Sequence, residues 1–476
     1  MNSGKAGAVR TRFSALADAD PLLVVPTADD VAAFQRELAA DQPVVLGGQV
    51  TTFDGLFDEA ARVLGVGGAP RLTAVQRDRA LTVAVQRAPL DRLAAASARP
   101  GFVAELDRLA GELQGALVDG EQLTARAGEL SDRHVATELA ALLDAYQAIL
   151  TELAREDPVR RARAVTAAAR SNPTAWRRPV LLYGFDDLAP VQLSLVEALG
   201  AEAEITVALT WEDRRAFGAR ARTLQALRER GAEITETLPA TSAHTASAVL
   251  HHLERRFEEE PESRVDPLDE AEGQGLELWE AGGEHAEMEQ VAAEIARLLA
   301  DPRDPVAAED VAIVVRDPGP AAERWADTLA AQGIPAAVDG GIAFAHTAVG
   351  HATLAALATV APGSPTAELI AALRGPSVAR SGPVDRLESR LRREGIRDAA
   401  AGLELWTGPK DPIEWLAAAA EGPELLAACR RVVRALAERP HLREAAQPGP
   451  AGRREIRAAA AADAMLAELA EHPVLI

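Results

Sequence analysis

Val180-Leu181-Leu182-Tyr183-Gly184-Phe185-Asp186-Asp187-Leu188-Ala189-Pro190-Val191-Gln192 decides how this chain is read. Four apolar or aromatic residues in a row predict a strand covered on both faces. Gly184 permits a sharp exit, and Asp187 followed by Pro190 is helix-entry chemistry. A strand, a tight turn and a helix start are how a parallel α/β sheet delivers residues to the carboxyl ends of its strands, where ligands sit.

Upstream, the same alternation recurs. Leu22–Val25 predicts a strand closed by Pro26-Thr27, and Asp29-Asp30 open a helix through about Ala39. Val44–Leu46 and Val50–Thr52 are further strand-like pieces. Phe53, Leu56, Phe57, Ala60 and Leu64 then recur at helical spacing. Between 72 and 170 the leucines keep a helical period, which predicts a mostly helical insertion. Strands return at Val180–Tyr183, Ile205–Leu209 and Ile234–Thr237. The acidic stretch 258–275, with Pro261, Pro267 and Gly273, reads as a linker. A second set follows: strands Leu276–Trp279, Val311–Val315 and Ile334–Val338, with helices Glu284–Leu299 and Ala321–Ala331. After Pro362 the chain reads as helical to its end.

The expected fold class is therefore α/β, with two parallel-sheet domains, each carrying a helical insertion. The first domain comprises 1–71 and 171–257, split by the insertion 72–170. The linker is 258–275, a partial second domain covers 276–361, and its helical insertion covers 362–476. A chain of 476 residues is long enough for several cores.

Composition narrows the function classes. The net charge of −22 argues against a surface that coats DNA, because phosphate binding needs positive charge. Almost all of the positive charge is arginine, with lysine only at Lys5 and Lys410. The single cysteine, Cys429, excludes an internal disulfide and a cysteine-based metal cage. No apolar run approaches the ~18 residues that span a bilayer, and Met1–Phe13 lacks the apolar core of a signal peptide. A cytoplasmic bacterial protein is the simple expectation.

Two segments bear on nucleotide chemistry. Asn2-Ser3-Gly4-Lys5-Ala6 resembles the end of a phosphate-binding loop, in which amides cradle phosphate, the lysine meets the β- and γ-phosphates and a hydroxyl holds magnesium. Gly4 and Lys5 match; Ala6 lacks the hydroxyl. The motif's first glycine and strand would lie before Met1. The bland alternative is a chance Gly-Lys at a frayed terminus. The second segment is the opening stretch. In the UvrD-type helicase superfamily this strand ends in Asp-Glu-Phe-Gln-Asp, followed by a turn and a glutamine. Here the register gives Tyr183-Gly184-Phe185-Asp186-Asp187, with Gln192 in step. Tyr183 and Gly184 stand where the magnesium-holding and water-activating acids belong. Asp186 and Asp187 are displaced by about three residues, and capping by Asp187 is the structural alternative. The glutamine expected after the next strand is absent from Val207–Asp213, and the arginine of the following element is absent from Ala240–His244.

On these residues the chain resembles the AddB (RexB-like) subunits of bacterial helicase–nuclease complexes, whose helicase-like body has lost its motor residues. That resemblance implies two RecA-like domains of the P-loop NTPase type. It also implies a role in DNA repair and recombination, holding double-strand ends or single strands beside an active AddA-like helicase–nuclease subunit. ATP would bind weakly at Gly4, Lys5 and Ala6 and would not be required. Glu284–Ala292 resembles the helix that opens the second helicase domain, and Arg316 ends its next predicted strand. A nuclease of the PD-(D/E)XK class needs a lysine two residues after an acid, but Ser3 and Gly408 precede Lys5 and Lys410. The family's nuclease domain, with its magnesium and iron–sulfur cluster, would follow Ile476. The implied chain is thus neither nuclease nor efficient ATPase. An active helicase with atypical motifs and a non-enzymatic α/β scaffold remain the alternatives.

Arginine forks suit phosphates. One arginine-rich stretch runs from Arg155 to Arg178 and the other from Arg380 to Arg397. Arg160, Arg161, Arg163, Arg390 and Arg393 are the DNA-contact candidates, with a solvated helix face as the alternative because Glu156, Asp157, Glu388 and Glu394 are interleaved. His244, His251, His252 and His285 form only a loose group, and solvated histidines are the simpler reading.

Overall fold

The computed structural model describes residues 4–41, 47–67, 69–99, 101–129, 132–156, 158–239, 247–256, 275–316, 318–337, 343–376, 378–419, 421–438 and 449–475. It divides into two compact units, Met1–Glu277 and Leu278–Ile476. The expected linker, apart from Gly275, lies outside the described residues.

The first unit runs α1 (Lys5–Ala15), β1 (Leu22–Val25), α2 (Ala28–Asp41), β2 (Gln49–Thr52), α3 (Phe53–Leu64), α4 (Ala74–Arg87), α5 (Ala94–Ser97), α6 (Phe102–Gly115), α7 (Gly120–Arg126), α8 (Arg133–Glu152), α9 (Pro158–Ser171), β3 (Val180–Tyr183), α10 (Pro190–Leu199), β4 (Ile205–Ala208), α11 (Gly218–Glu229) and α12 (Ala248–Arg256). The four strands form one parallel sheet in the order β2-β1-β3-β4. The expected strand at Val44–Leu46 lies outside the described residues, as does the element Ala240–His244.

Strand periodicity sorts the sheet's residues onto two faces. Leu22, Val24, Val180 and Leu182 meet Phe53, Leu56, Phe57 and Ala60 of α3, Val165 and Ala169 of α9, and Leu195 and Leu199 of α10. Leu23, Val25 and Leu181 face the other way, onto Val9 and Phe13 of α1 and Phe34 and Leu38 of α2, with Tyr183 at the margin. Both faces of β1 are sealed, as the run Leu-Leu-Val-Val requires. Each such side chain contributes roughly 1.5–3 kcal/mol when buried. β4 is only half-buried along its length, and β3 is its one strand partner among the described residues.

The insertion is helical throughout, as expected. Thr73 and Gln76 cap α4 reciprocally, Asp119 and Gln122 cap α7, and Asp132 accepts from two amides at the start of α8. Its own core gathers Ala110, Leu123, Ala140 and Leu143. One boundary moves. α9, included in the expected insertion 72–170, packs Ala162, Val165 and Ala169 into the core under the sheet. Its small-residue stripe lets it lie close to the strands. The insertion's two ends meet where the Glu156 amide donates to the Pro70 carbonyl at 3.1 Å and Arg71 lies in a parallel bridge with Glu156.

Ile234–Thr237 is not a strand: Ile234 is 57% exposed in an irregular segment. A strand needs a neighbour to take its backbone hydrogen bonds, and apolar content alone does not supply one.

The second unit contains α13 (Glu284–Ala300), α14 (Pro318–Ala331), α15 (Ala348–Val360), α16 (Thr366–Leu373), α17 (Ser381–Glu394), α18 (Ala399–Glu404), α19 (Asp411–Ala417), α20 (Pro423–Glu438) and α21 (Pro450–Ala470). The helices from α15 onward form a bundle around Val349, Leu369, Leu373, Val384, Trp406, Val432 and Leu436. The expected strands Leu276–Trp279, Val311–Val315 and Ile334–Val338 are not formed among the described residues. Val311, Ile313 and Ile334 do pack against Ile295 and Leu329 of α13 and α14. However, Leu278 and Val314 are 98% and 91% exposed. Alternation put the right side chains inward, but no ladder joins them, so the expected second sheet is absent from the described residues.

Candidate functional site

All four strands are parallel, so their carboxyl ends share one edge. β1 exits there into Pro26-Thr27, β3 into Gly184, and β4 toward Glu212. The start of α1 lies on this edge. Gly4 precedes it in a left-handed conformation (φ 70°), and the Lys5 ammonium falls in the field of Arg220 and Glu212. Burial, then the Arg220 charge, pushes the Lys5 pKa below the usual lysine range, while Glu212 opposes the shift. Ala6 stands next in the helix, half-buried.

The ionic frame around Lys5 is made of residues that the sequence patterns did not single out. The Arg220 guanidinium donates to Asp186 just past β3 and lies 5.2 Å from the Phe217 ring centroid. Glu212 accepts from Arg255 at 3.0 Å and forms an ion pair with Arg214, 2.8 Å away. Arg214 and Arg220 fall on a stretch that has no apolar period to flag it; Arg220 meets Asp186 34 residues away, and Arg255 meets Glu212 43 residues away. Spacing along the chain carries no trace of such pairs.

Tyr183 ends β3 on the face covered by α1 and α2. Its ring meets that of Phe34 edge-on, with centroids 5.2 Å apart. Burial first, then Glu37 and Asp30, raises the phenol's pKa, and Arg10 of α1 partly offsets this. Tyr183 and Lys5 therefore belong to the same helical layer, but they have different neighbours. Gly184 follows at φ 85°, and a β-carbon there would come within 3.1 Å of the Pro26 ring. The backbone at this position resists any side chain.

The remaining residues of the motif have structural roles or stand apart. The Gln192 side chain accepts from the Ala189 amide at 2.9 Å and closes the start of α10, with Pro190 in its first turn. Asp187 is exposed and is not the cap: Ala189 occupies that position. Capping was correctly anticipated for this turn but assigned to the wrong residue, because Gln192 reaches back from within the helix. Asp186 is committed to Arg220. Among the described residues no group of three or more histidines, cysteines or acids is placed to hold a metal. His285 sits 3.4 Å from Glu289, one turn along its own helix, and His244 lies outside the described residues.

The arginine candidates do not form one track. Arg161 is 14% exposed and pairs with Asp58 at 2.8 Å and Glu156 at 3.4 Å, at the root of the insertion. Arg163 pairs with Asp119 at 2.8 Å and donates to the Leu117 carbonyl. Both are engaged by acids of the fold, and Arg163 by a main-chain carbonyl as well. Arg160 is exposed on α9. In the second unit Arg390 pairs with Glu394 at 2.9 Å, and Arg393 is exposed on α17. Arg316 is exposed on an irregular segment.

No helix among the described residues is long and apolar enough to cross a membrane. A scan against protein-family models found no match to this chain, and a search of curated proteins also found none.

Proposed function

We propose that this chain is a helicase-like body without a motor, the DNA-holding portion of an AddB-type subunit that works beside an active helicase–nuclease in double-strand break repair. The observation that carries the reading is the placement of Lys5. A glycine–lysine helix start lies in the field of Arg220 and Glu212, residues that follow the carboxyl end of β4, and the neighbouring strand β3 ends in Tyr183 and Gly184 where two acids would stand in the resembled family. We read this arrangement as resembling a RecA-like nucleotide engine that lacks the groups to hold magnesium and direct water.

The geometry of Gly184 strengthens the argument against hydrolysis. An acid at that position would need a left-handed backbone and would press on Pro26, so the loss involves the main chain as well as the side chain. Ala6 removes the hydroxyl that magnesium would need. Lys5, Arg220 and the first turn of α1 leave a positive corner where a nucleotide's phosphates would bind weakly without being cleaved.

The decisive experiment measures ATP hydrolysis by the purified chain with and without single-stranded DNA, alongside binding to a forked DNA at two salt concentrations. The reading expects background hydrolysis that DNA leaves unchanged, and salt-sensitive binding. DNA-stimulated hydrolysis would establish a working helicase instead. No binding at low salt would favour a scaffold unrelated to DNA.

A further inference from the structure

We infer that the outer face of α17 is a contact surface for the phosphate backbone of a DNA duplex. Arg386, Arg390 and Arg393 follow one another at spacings of four and three residues, which places them in one row along the helix. All three are exposed, while Val384, Leu387 and Leu391 turn inward to the bundle core. Arg397, also exposed, continues the series past Gly395, which ends the helix at φ 68°.

The charges of this helix are sorted by flank. Asp385 and Glu388 are drawn to Arg374 at 2.8 Å and 2.6 Å, and Glu388 also pairs with Arg392. In the row itself, Glu394 engages Arg390 through Nε at 2.9 Å. Among the described residues Arg386, Arg393 and Arg397 form no ion pair. The chain carries 72 acids against 50 lysines and arginines, so an arginine rarely lacks a carboxylate within reach. Three left open on one short stretch differ from Arg161, Arg163 and Arg170 of α9, each of which an acid already holds.

The composition of the face selects between anionic partners. A protein interface draws its energy from apolar and aromatic anchors near its centre. No large hydrophobic side chain of α17 is exposed. The row offers guanidinium forks and nothing apolar, a set suited to phosphate oxygens. The dimensions agree. Arg386 to Arg393 rises roughly 10 Å along a helix, and one strand of a duplex carries a phosphate about every 3.4 Å of its axis. The row therefore spans about three phosphates, a local contact that a chain of net charge −22 can make without a basic surface overall.

Naming DNA as the partner rests on the function proposed above, and the test separates the two. A labelled duplex is titrated with the full chain and followed by anisotropy across a salt series, with labelled poly-glutamate as the acidic-polypeptide probe. The double variant Arg386→Gln/Arg393→Gln is compared with Arg392→Gln, which removes a charge from the other flank, after melting curves confirm folding. The double variant is expected to weaken duplex binding about tenfold and to reduce the salt slope by about 2, the share of two phosphate contacts. Arg392→Gln is expected to leave both near the wild-type values. Duplex binding that is unchanged in the folded double variant, or that falls equally in Arg392→Gln, overturns the surface and leaves the proposed function standing. Poly-glutamate bound in place of duplex, and released by the double substitution, overturns DNA as the partner and the proposed function with it. Binding of neither probe overturns the surface itself.

Discussion

The rings of Tyr183 and Phe34 meet edge-on, their centroids 5.2 Å apart and their planes 70° from parallel. Tyr183 is therefore a packing residue of the core beneath α1 and α2. Tyr183→Phe should be tolerated within about 1 kcal/mol, since the ring contact survives. Tyr183→Asp should cost about 3 kcal/mol, because it deletes that contact and adds a charge at a half-buried site. Urea unfolding of the two variants measures the difference, and equal stabilities would contradict the packing role.

Lys5 offers a direct electrostatic readout, because Lys410 is the only other lysine. Burial and Arg220 depress the Lys5 pKa, so the charged form is disfavoured in the fold. The sign follows: this residue's contribution to stability rises with pH between its folded and unfolded pKa values. Carbon-13 methylation and NMR titration should show Lys5 ionising below the ordinary lysine range. Arg220→Gln should move it upward, and Glu212→Gln should move it further down.

Asp463 of α21 accepts from Arg430 at 2.9 Å and from Arg434 at 2.7 Å, both on α20. The two guanidinium groups lower its pKa to about 2. A depressed carboxyl stabilises the fold above its unfolded pKa and loses that contribution as pH falls through the folded value. Asp463→Asn should cost about 1 kcal/mol near neutrality, a figure reduced for solvent screening. The deficit relative to wild type should shrink as pH drops from about 4 toward 2. A deficit that stays constant over that range would show that the ion pairs contribute nothing.

Gly350 in α15 lies against the Phe344 carbonyl, and a β-carbon there would overlap that oxygen. The hydroxyl of Thr347, which caps the helix, accepts from the Gly350 amide at 3.0 Å. Gly350→Ala should destabilise the second unit by about 2 kcal/mol despite alanine's better helix propensity. Chemical denaturation that showed stabilisation would mean the turn before α15 relaxes freely.

Arg161→Ala should lower stability by about 2 kcal/mol, because it leaves Glu156 and Asp58 without their shared partner at a largely buried position. Arg160→Ala should change stability little. Thermal unfolding distinguishes the two, so any loss of DNA binding in Arg161→Ala must be read against its folding.

The first unit was legible in the sequence because its two central strands, β1 and β3, are sealed on both faces. Leu-Leu-Val-Val and Val-Leu-Leu-Tyr admit little else between turn residues, and Phe53–Leu64 carries a clean helical stripe. The second half misled because Val311 and Ile313 alternate with outward residues as a strand's would, yet they make only hydrophobic contacts. Alternation records burial on one side; it does not record whether a neighbouring strand exists. Within the site, Gly4, Lys5, Tyr183 and Gly184 were visible as a motif. Arg220 and Glu212 were not, since ion pairs closed by tertiary folding leave no period. α9 continues the helical character of the insertion, so only tertiary packing shows that its alanines and Val165 belong under the sheet.

The clasp between Pro70 and Glu156 also bears on how this chain could be trimmed. α9 follows Glu156 and belongs to the sheet, where Ala162, Val165 and Ala169 form part of the floor. Excising residues 72–170 would therefore strip one wall from the parallel sheet along with the insertion. A cut at the clasp itself, joining 70 to 156 and sparing α9, is the one that leaves a self-sufficient remainder.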